Sequence, residues 1–81
     1  MATELTLISR TYCHLCHDME AALVPLAAEF GASVTVLDVD ADPILEARYD
    51  ELVPVLLHGE EELCHYILDE AKTREYLAGI R

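Results

Sequence analysis

The sequence predicts an α/β domain built on a mixed four-stranded sheet, with helices on both faces and the element order βαβαββα. Three observations carry that expectation. A short β-branched run, Glu4-Leu5-Thr6-Leu7-Ile8-Ser9, precedes apolar residues at helical spacing, and a second such run follows them. Two strands joined through a helix should be parallel with a right-handed crossover. Farther on, an apolar run and a second strand-like run flank Gly59, the pattern of an antiparallel hairpin.

Each element has its own reason. After the first strand, Leu15, Met19, Ala22, Leu23, Leu26 and Phe30 recur at the spacing of one helix face, and Gly31 is a natural helix stop. Pro25 sits inside this pattern and removes the hydrogen bond to Ala21, so a kink or altered turn is expected there. Ser33-Val34-Thr35-Val36-Leu37 is the second strand. Asp42-Pro43 starts a short helix through Tyr49, because aspartate caps and proline fits the first helical position. Val53-Pro54-Val55-Leu56-Leu57 and Glu61 to Tyr66 form the hairpin. Asp69 caps a last helix carrying Ala71, Tyr76 and Leu77.

Size and composition set the bounds. The 81 residues form one domain, 1–81, of globular composition: 53% hydrophobic and 26% charged. A chain of this size buries roughly 60–65% of its unfolded surface, enough for a modest core. A net charge of −11 repels polyphosphate backbones and anionic headgroups. Nucleic acid and membranes are therefore not expected partners, and neutral or basic ones are. The start, Met1-Ala2-Thr3-Glu4, lacks a basic region followed by an apolar stretch, so a cytoplasmic location is expected. A monomer is the default. Three cysteines in a reducing compartment point to redox or metal chemistry rather than a disulfide framework.

Two thiols and two imidazoles fall within the five residues Cys13-His14-Leu15-Cys16-His17. The bare string permits a redox dithiol, a covalent haem site or a zinc site. Its setting discriminates. Cys13 falls where the first strand gives way to the first helix, and Cys16 lies one turn on. Residues three apart on a helix are neighbours, and a disulfide accepts a Cα separation of about 4.4–6.8 Å, so the pair can close without backbone movement. The unpaired N–H groups of a helix start favour a thiolate at Cys13. Arg10, three residues upstream, is a candidate to add to that effect. Cys16, deeper in the helix, suits attack on a mixed disulfide at Cys13.

The competing chemistries fit less well. Haem attachment through Cys13, Cys16 and His17 normally goes with an exported protein and a separate axial ligand. Zinc would recruit Cys64 and His65, yet neighbours on a strand face opposite sides. No metal ligand is therefore assigned. Asp38-x-Asp40-x-Asp42 and Glu60-Glu61-Glu62 read as a capped loop and a charged hairpin, since a calcium loop needs a glycine and a distal glutamate at set positions. His17 and His58 read as solvated surface, and Cys64 as a half-buried small residue.

A strand, Cys13-x-x-Cys16 opening a helix, a second strand, and Val53-Pro54 about forty residues downstream resemble the thioredoxin fold. The short form, with nothing ahead of the first strand, is similar to the glutaredoxins, and in particular to small bacterial glutaredoxin-like proteins. The resemblance covers essentially the whole chain and implies a thiol–disulfide oxidoreductase. Cys13 would be the nucleophile and Cys16 the resolving thiol. Pro54 would be a cis-proline, with the backbone of Val53 pairing with a bound thiol peptide. Tyr12, just before the nucleophile, would line the substrate groove. His14, between the thiols, would stabilise the Cys13 thiolate when protonated. Partners would be a disulfide-containing protein or a low-molecular-weight thiol, and no cofactor is required.

The chain also departs from that family. Glutaredoxins usually carry Pro-Tyr between the cysteines, where His14-Leu15 stands here. They carry a glycine pair and an acidic residue after the fourth strand to hold glutathione, where Leu63-Cys64-His65-Tyr66-Ile67 has no glycine. The departure counts against glutathione. It leaves an alternative function, a non-catalytic module of the same fold that binds a metal, an iron–sulfur cluster or a protein partner.

Overall fold

A computed structural model describes residues 3–80. The elements are β1 (Glu4–Ser9), α1 (His14–Phe30), β2 (Ser33–Asp38), a short 3-10 turn (Val39–Ala41), α2 (Pro43–Tyr49), β3 (Val55–His58), β4 (Glu61–His65) and α3 (Glu70–Gly79). The strand order is β2-β1-β3-β4, with β1 parallel to β2 and antiparallel to β3, and β3 antiparallel to β4. This is the mixed four-stranded sheet that the sequence predicts.

Alternation along the inner strands divides the core between two faces. Leu5 and Leu7 of β1 and Leu56 of β3 face Met19, Leu23 and Leu26 of α1 and Leu77 of α3. Ile8 of β1 and Val55 and Leu57 of β3 face the opposite way, where Val39 of the 3-10 turn and Tyr49 of α2 cover them. Each large apolar side chain taken fully out of water stabilises the fold by about 1.5–3 kcal/mol before entropy is charged against it. The helices therefore lie on both faces, two on one and only the short α2 on the other.

Local chemistry sets the ends of the elements. Gly31 takes φ +66° at the end of α1, the left-handed conformation that closes a helix, and its N–H reaches back to Ala27 and Ala28 carbonyls. Pro25 does not interrupt α1, which runs α-helical from His14 to Phe30. Ala21 and Pro25 are both exposed, so the carbonyl that loses its partner faces solvent. Leu15 is exposed rather than part of the buried stripe. The three aspartates at 38, 40 and 42 each have a task. Asp38 accepts from the Asp40 N–H at 2.9 Å, Asp42 accepts from the Ile44 N–H at 2.8 Å, and Asp40 pairs with Arg10. The 3-10 turn between them was not expected from sequence. It drives Val39 fully into the core.

In β4 the pairing slips. Leu56 faces Cys64 while Leu57 faces Glu62, so Leu63 is an extra residue without a partner opposite. A bulge of this kind lets consecutive side chains lean to one side. Leu63 is buried in the α1/α3 core, and Cys64 packs against that same core, half-buried. His58 is not solvated surface: its Nδ1 lies 2.6 Å from the Tyr76 hydroxyl, tying β3 to α3.

Candidate functional site

The register brings several segments to one end of the sheet. Ile8 pairs with Val55 and Ser9 with Asp38, while Val55 pairs with His65. So the turn leaving β1, the segment entering β3 and the residues leaving β4 all emerge at the carboxyl ends of β1 and β2. Such ends are where sheets of this kind place their chemistry.

Arg10, Thr11 and Tyr12 make the turn after β1, closed by the Cys13 N–H donating to the Arg10 carbonyl at 3.1 Å. His17, expected to be plain helix surface, instead braces this turn, its Nε2 lying 3.0 Å from the Thr11 carbonyl. Cys13 is the N-cap of α1, with extended backbone at φ −101°, ψ 113°. Its Sγ accepts from the Cys16 N–H at 3.1 Å, and its carbonyl accepts the His17 N–H at 3.2 Å. The sulfur thus takes the place a serine or aspartate oxygen usually fills at a helix start.

Cys13 and Cys16 are joined as a disulfide, with Cα atoms 5.1 Å apart. Their surroundings differ. Cys13 is half-buried, while Cys16 has no exposure and sits on the same buried stripe of α1 as Met19 and Leu23. An incoming sulfur can reach Cys13, and Cys16 stands behind it. Cys64 is the remaining free cysteine, and it lies on β4. Among the described residues, no three His, Cys, Asp or Glu side chains gather closely enough to hold a metal ion.

Val53 and Pro54 enter β3 through a cis peptide bond. Pro54 is fully buried, and Val53 is half-buried against the α2 core. Two hydrogen bonds from Tyr66 reach this segment: its N–H donates to the Pro54 carbonyl at 2.9 Å, and its hydroxyl to the Glu51 carbonyl at 2.7 Å. Nothing in the sequence marks Tyr66, because an aromatic residue at a strand end is ordinary and its φ of +64° is not.

The remaining candidates spread around the thiols. Tyr12 projects into solvent with 96% of its surface exposed, and His14 is exposed on the first turn of α1. Leu15, between the cysteines, lines an open groove of about 340 Å³ with Met19, Ile67 and Leu68. Arg10 turns elsewhere. Its guanidinium binds both carboxylate oxygens of Asp40 at 3.0 Å and also holds Asp50, pinning the 3-10 turn and the end of α2 to the end of β1. The hydrogen bonds and charge of Arg10 hold the Asp40 carboxyl below its ordinary value of 3.8. Asp40 and Asp50 lie thirty and forty residues from Arg10, so no local spacing could have announced them.

Comparisons with known proteins bear on the family and the fold. A family profile described as glutaredoxin-like domain (DUF836) matches residues 4–78. The solution structure of protein Ne2328 from Nitrosomonas europaea superposes with a TM-score of 0.82 at 33% identity, over 94% of this chain and 92% of that one. The X-ray structure of XcR50 from X. campestris gives 0.68 at 34% identity, over 93% and 96%. An uncharacterized protein of Mycobacterium tuberculosis, Rv0508, is 28% identical over 80 residues, 93% of this chain and 82% of its own length. Thioredoxin 1 from Thermosipho africanus, at 20% identity, shares the fold with a TM-score of 0.65, over 95% and 97%.

Proposed function

The chain belongs to the glutaredoxin-like domain family (DUF836) and has a thioredoxin-like fold, and from that premise we propose that it is a thiol–disulfide oxidoreductase working through Cys13 and Cys16. One observation carries the reading: Cys13 caps α1 with its sulfur on the Cys16 N–H, while Cys16 is wholly buried behind it. Once the pair is reduced, the same N–H and the helix start stabilise a thiolate at Cys13. Cysteines so placed give up their proton more readily than a free cysteine, which raises the thiolate fraction available to attack.

The exchange runs in two steps. The Cys13 thiolate attacks one sulfur of the substrate disulfide; a Cys13–substrate bond forms, and the other substrate sulfur leaves as a thiolate that takes a proton from water. Cys16 then attacks the Cys13 sulfur, its proton passing through water to the substrate sulfur that leaves. That bond forms the internal disulfide and expels the second substrate thiol. Two electrons pass from the cysteine pair to the substrate. A low-molecular-weight thiol or a protein dithiol restores the pair by the reverse sequence. The substrate backbone pairs with Val53 beside Pro54, and Tyr12 flanks the incoming sulfur. No bound cofactor takes part. The working location is the cytoplasm, where dithiol pairs cycle, and the working unit is a single chain.

The test is direct. Cys13→Ser should abolish reduction of a disulfide substrate, and Cys16→Ser should accumulate a mixed disulfide visible by mass spectrometry under non-reducing conditions. Unaltered turnover in both variants would sink the reading. Incubating the oxidised protein with glutathione, and following closure or opening of the bridge, decides whether that thiol is the reductant.

A further inference from the structure

Tyr66 is the one non-glycine residue, among the described residues, with φ in the left-handed region. That conformation is sterically costly for an ordinary side chain. Such residues persist where the surroundings hold them, and they gather at functional sites. The bonds that hold this one are specific. The backbone end of Tyr66 grips the Pro54 carbonyl at 2.9 Å, and the far end of its ring grips the Glu51 carbonyl at 2.7 Å. The two anchors bracket Leu52 and Val53. Leu52 is itself tied back to α2 by its N–H on the Tyr49 carbonyl at 2.8 Å. Within this bracket, neither the N–H nor the C=O of Val53 has a backbone hydrogen bond among the described residues.

We infer that Tyr66 is a positioning residue, a clasp that holds the Glu51–Pro54 segment so that the unpaired edge of Val53 is fixed where a substrate backbone meets it. The inference rests on the oxidoreductase reading above and adds to it. Tyr66 touches neither sulfur. It acts through the segment it holds, so its effect belongs to substrates that have a backbone to pair. The ring of His65 packs edge-on against it, centroids 4.7 Å apart at 77°, and His65 Nδ1 lies 2.9 Å from Glu62 Oε2. These contacts steady the Tyr66 ring from the β4 side.

The experiment supplies a small dithiol as electron donor, subtracts its direct reaction, and compares two disulfides: bis(2-hydroxyethyl) disulfide, which has no peptide group, and a short peptide with an internal cystine. Tyr66→Phe keeps the ring and removes one hydrogen bond to the segment. It should raise KM for the peptide about two- to tenfold, the usual worth of one such bond. Peptide kcat, kinetics with the small disulfide and the reduction potential of the Cys13–Cys16 pair should stay at wild-type values. Tyr66→Asn, whose side chain tolerates the left-handed backbone, should raise peptide KM at least as far. An unchanged peptide KM in both variants would overturn the clasp. So would an equal loss on both disulfides, which marks general damage rather than positioning. If the wild-type protein turns over neither disulfide, the oxidoreductase reading itself fails and the clasp falls with it. If it turns over both and the variants do not separate them, the clasp alone is wrong.

Discussion

The two faces of the sheet are held by different forces. On the α1/α3 face, leucines from five elements and Met19 form a continuous apolar layer. The α2 face has a smaller core, and polar links reach from the sheet to the segments around it. Arg10 grips Asp40 and Asp50, and Tyr66 grips Glu51 and Pro54. The thiols stand on the first face, since Cys16 shares the buried stripe of α1. The Val53 segment stands on the second. The cysteine pair is thus anchored by packing, which has little directional choice, and the Val53 segment by hydrogen bonds, which single substitutions can loosen. Under the proposed function, a division of this kind lets substrate preference vary without disturbing the chemistry.

The largest expected effect tests the packed face. Leu23→Ala should cost about 2–5 kcal/mol of unfolding free energy, because a buried leucine leaves a cavity that its neighbours only partly fill. Urea denaturation measures it. Leu57→Ala on the other face should fall toward the low end of that range, since a thin layer collapses more readily onto a void. Equal losses at the two positions would dissolve the contrast between the faces.

The polar face answers to salt and pH. Arg10→Gln should lower the denaturation midpoint by less than Leu23→Ala does. The gap from wild type should narrow in molar salt, where the Debye length is about 3 Å. The sign in acid follows from Asp40. Its carboxyl titrates below 3.8 in the folded protein because Arg10 binds the charged form. The stabilisation is therefore present above 3.8 and is lost as pH falls through the lowered value. The gap between wild type and Arg10→Gln should close below about pH 4. The thiolate titration of Cys13, read by absorbance at 240 nm, should not move in this variant, because both hydrogen-bonded faces of the guanidinium are spent on aspartates. A displaced thiol titration would restore Arg10 as a tuner of the pair.

These contrasts also show where the sequence was legible. The element order along the chain, the helix starts at Asp42 and Asp69, the hairpin around Gly59 and the cysteine pair at a helix start all follow from local pattern, since capping and periodicity act over a few residues. Three features did not. The Arg10 links span thirty and forty residues, so they depend on the finished fold. The bulge at Leu63 comes from a pairing slip that alternation alone cannot announce. The left-handed Tyr66 breaks the preference of its own residue type, and two long-range hydrogen bonds hold it there. Local rules describe the thiols well and the segment opposite them poorly, because the thiols sit inside one helix and that segment is held from elsewhere.

The smallest expected effect concerns His14. It is exposed, so any charge it carries is screened by water. An exposed charge pair contributes about 0.2–1 kcal/mol. By the usual conversion, His14→Ala should raise the Cys13 pKa by roughly 0.1–0.7. The direction follows from the charge: a protonated imidazole favours the thiolate, so removing it favours the thiol. A thiolate stabilised by that amount makes the reduced pair more stable and the disulfide more oxidising. Since about 30 mV corresponds to 1.4 kcal/mol for two electrons, the potential should fall by no more than about 20 mV in the variant. Titration of Cys13 and equilibration against a glutathione redox buffer check the two numbers independently. A Cys13 pKa indifferent to His14→Ala would leave the Cys16 N–H and the helix start as the whole of the local tuning.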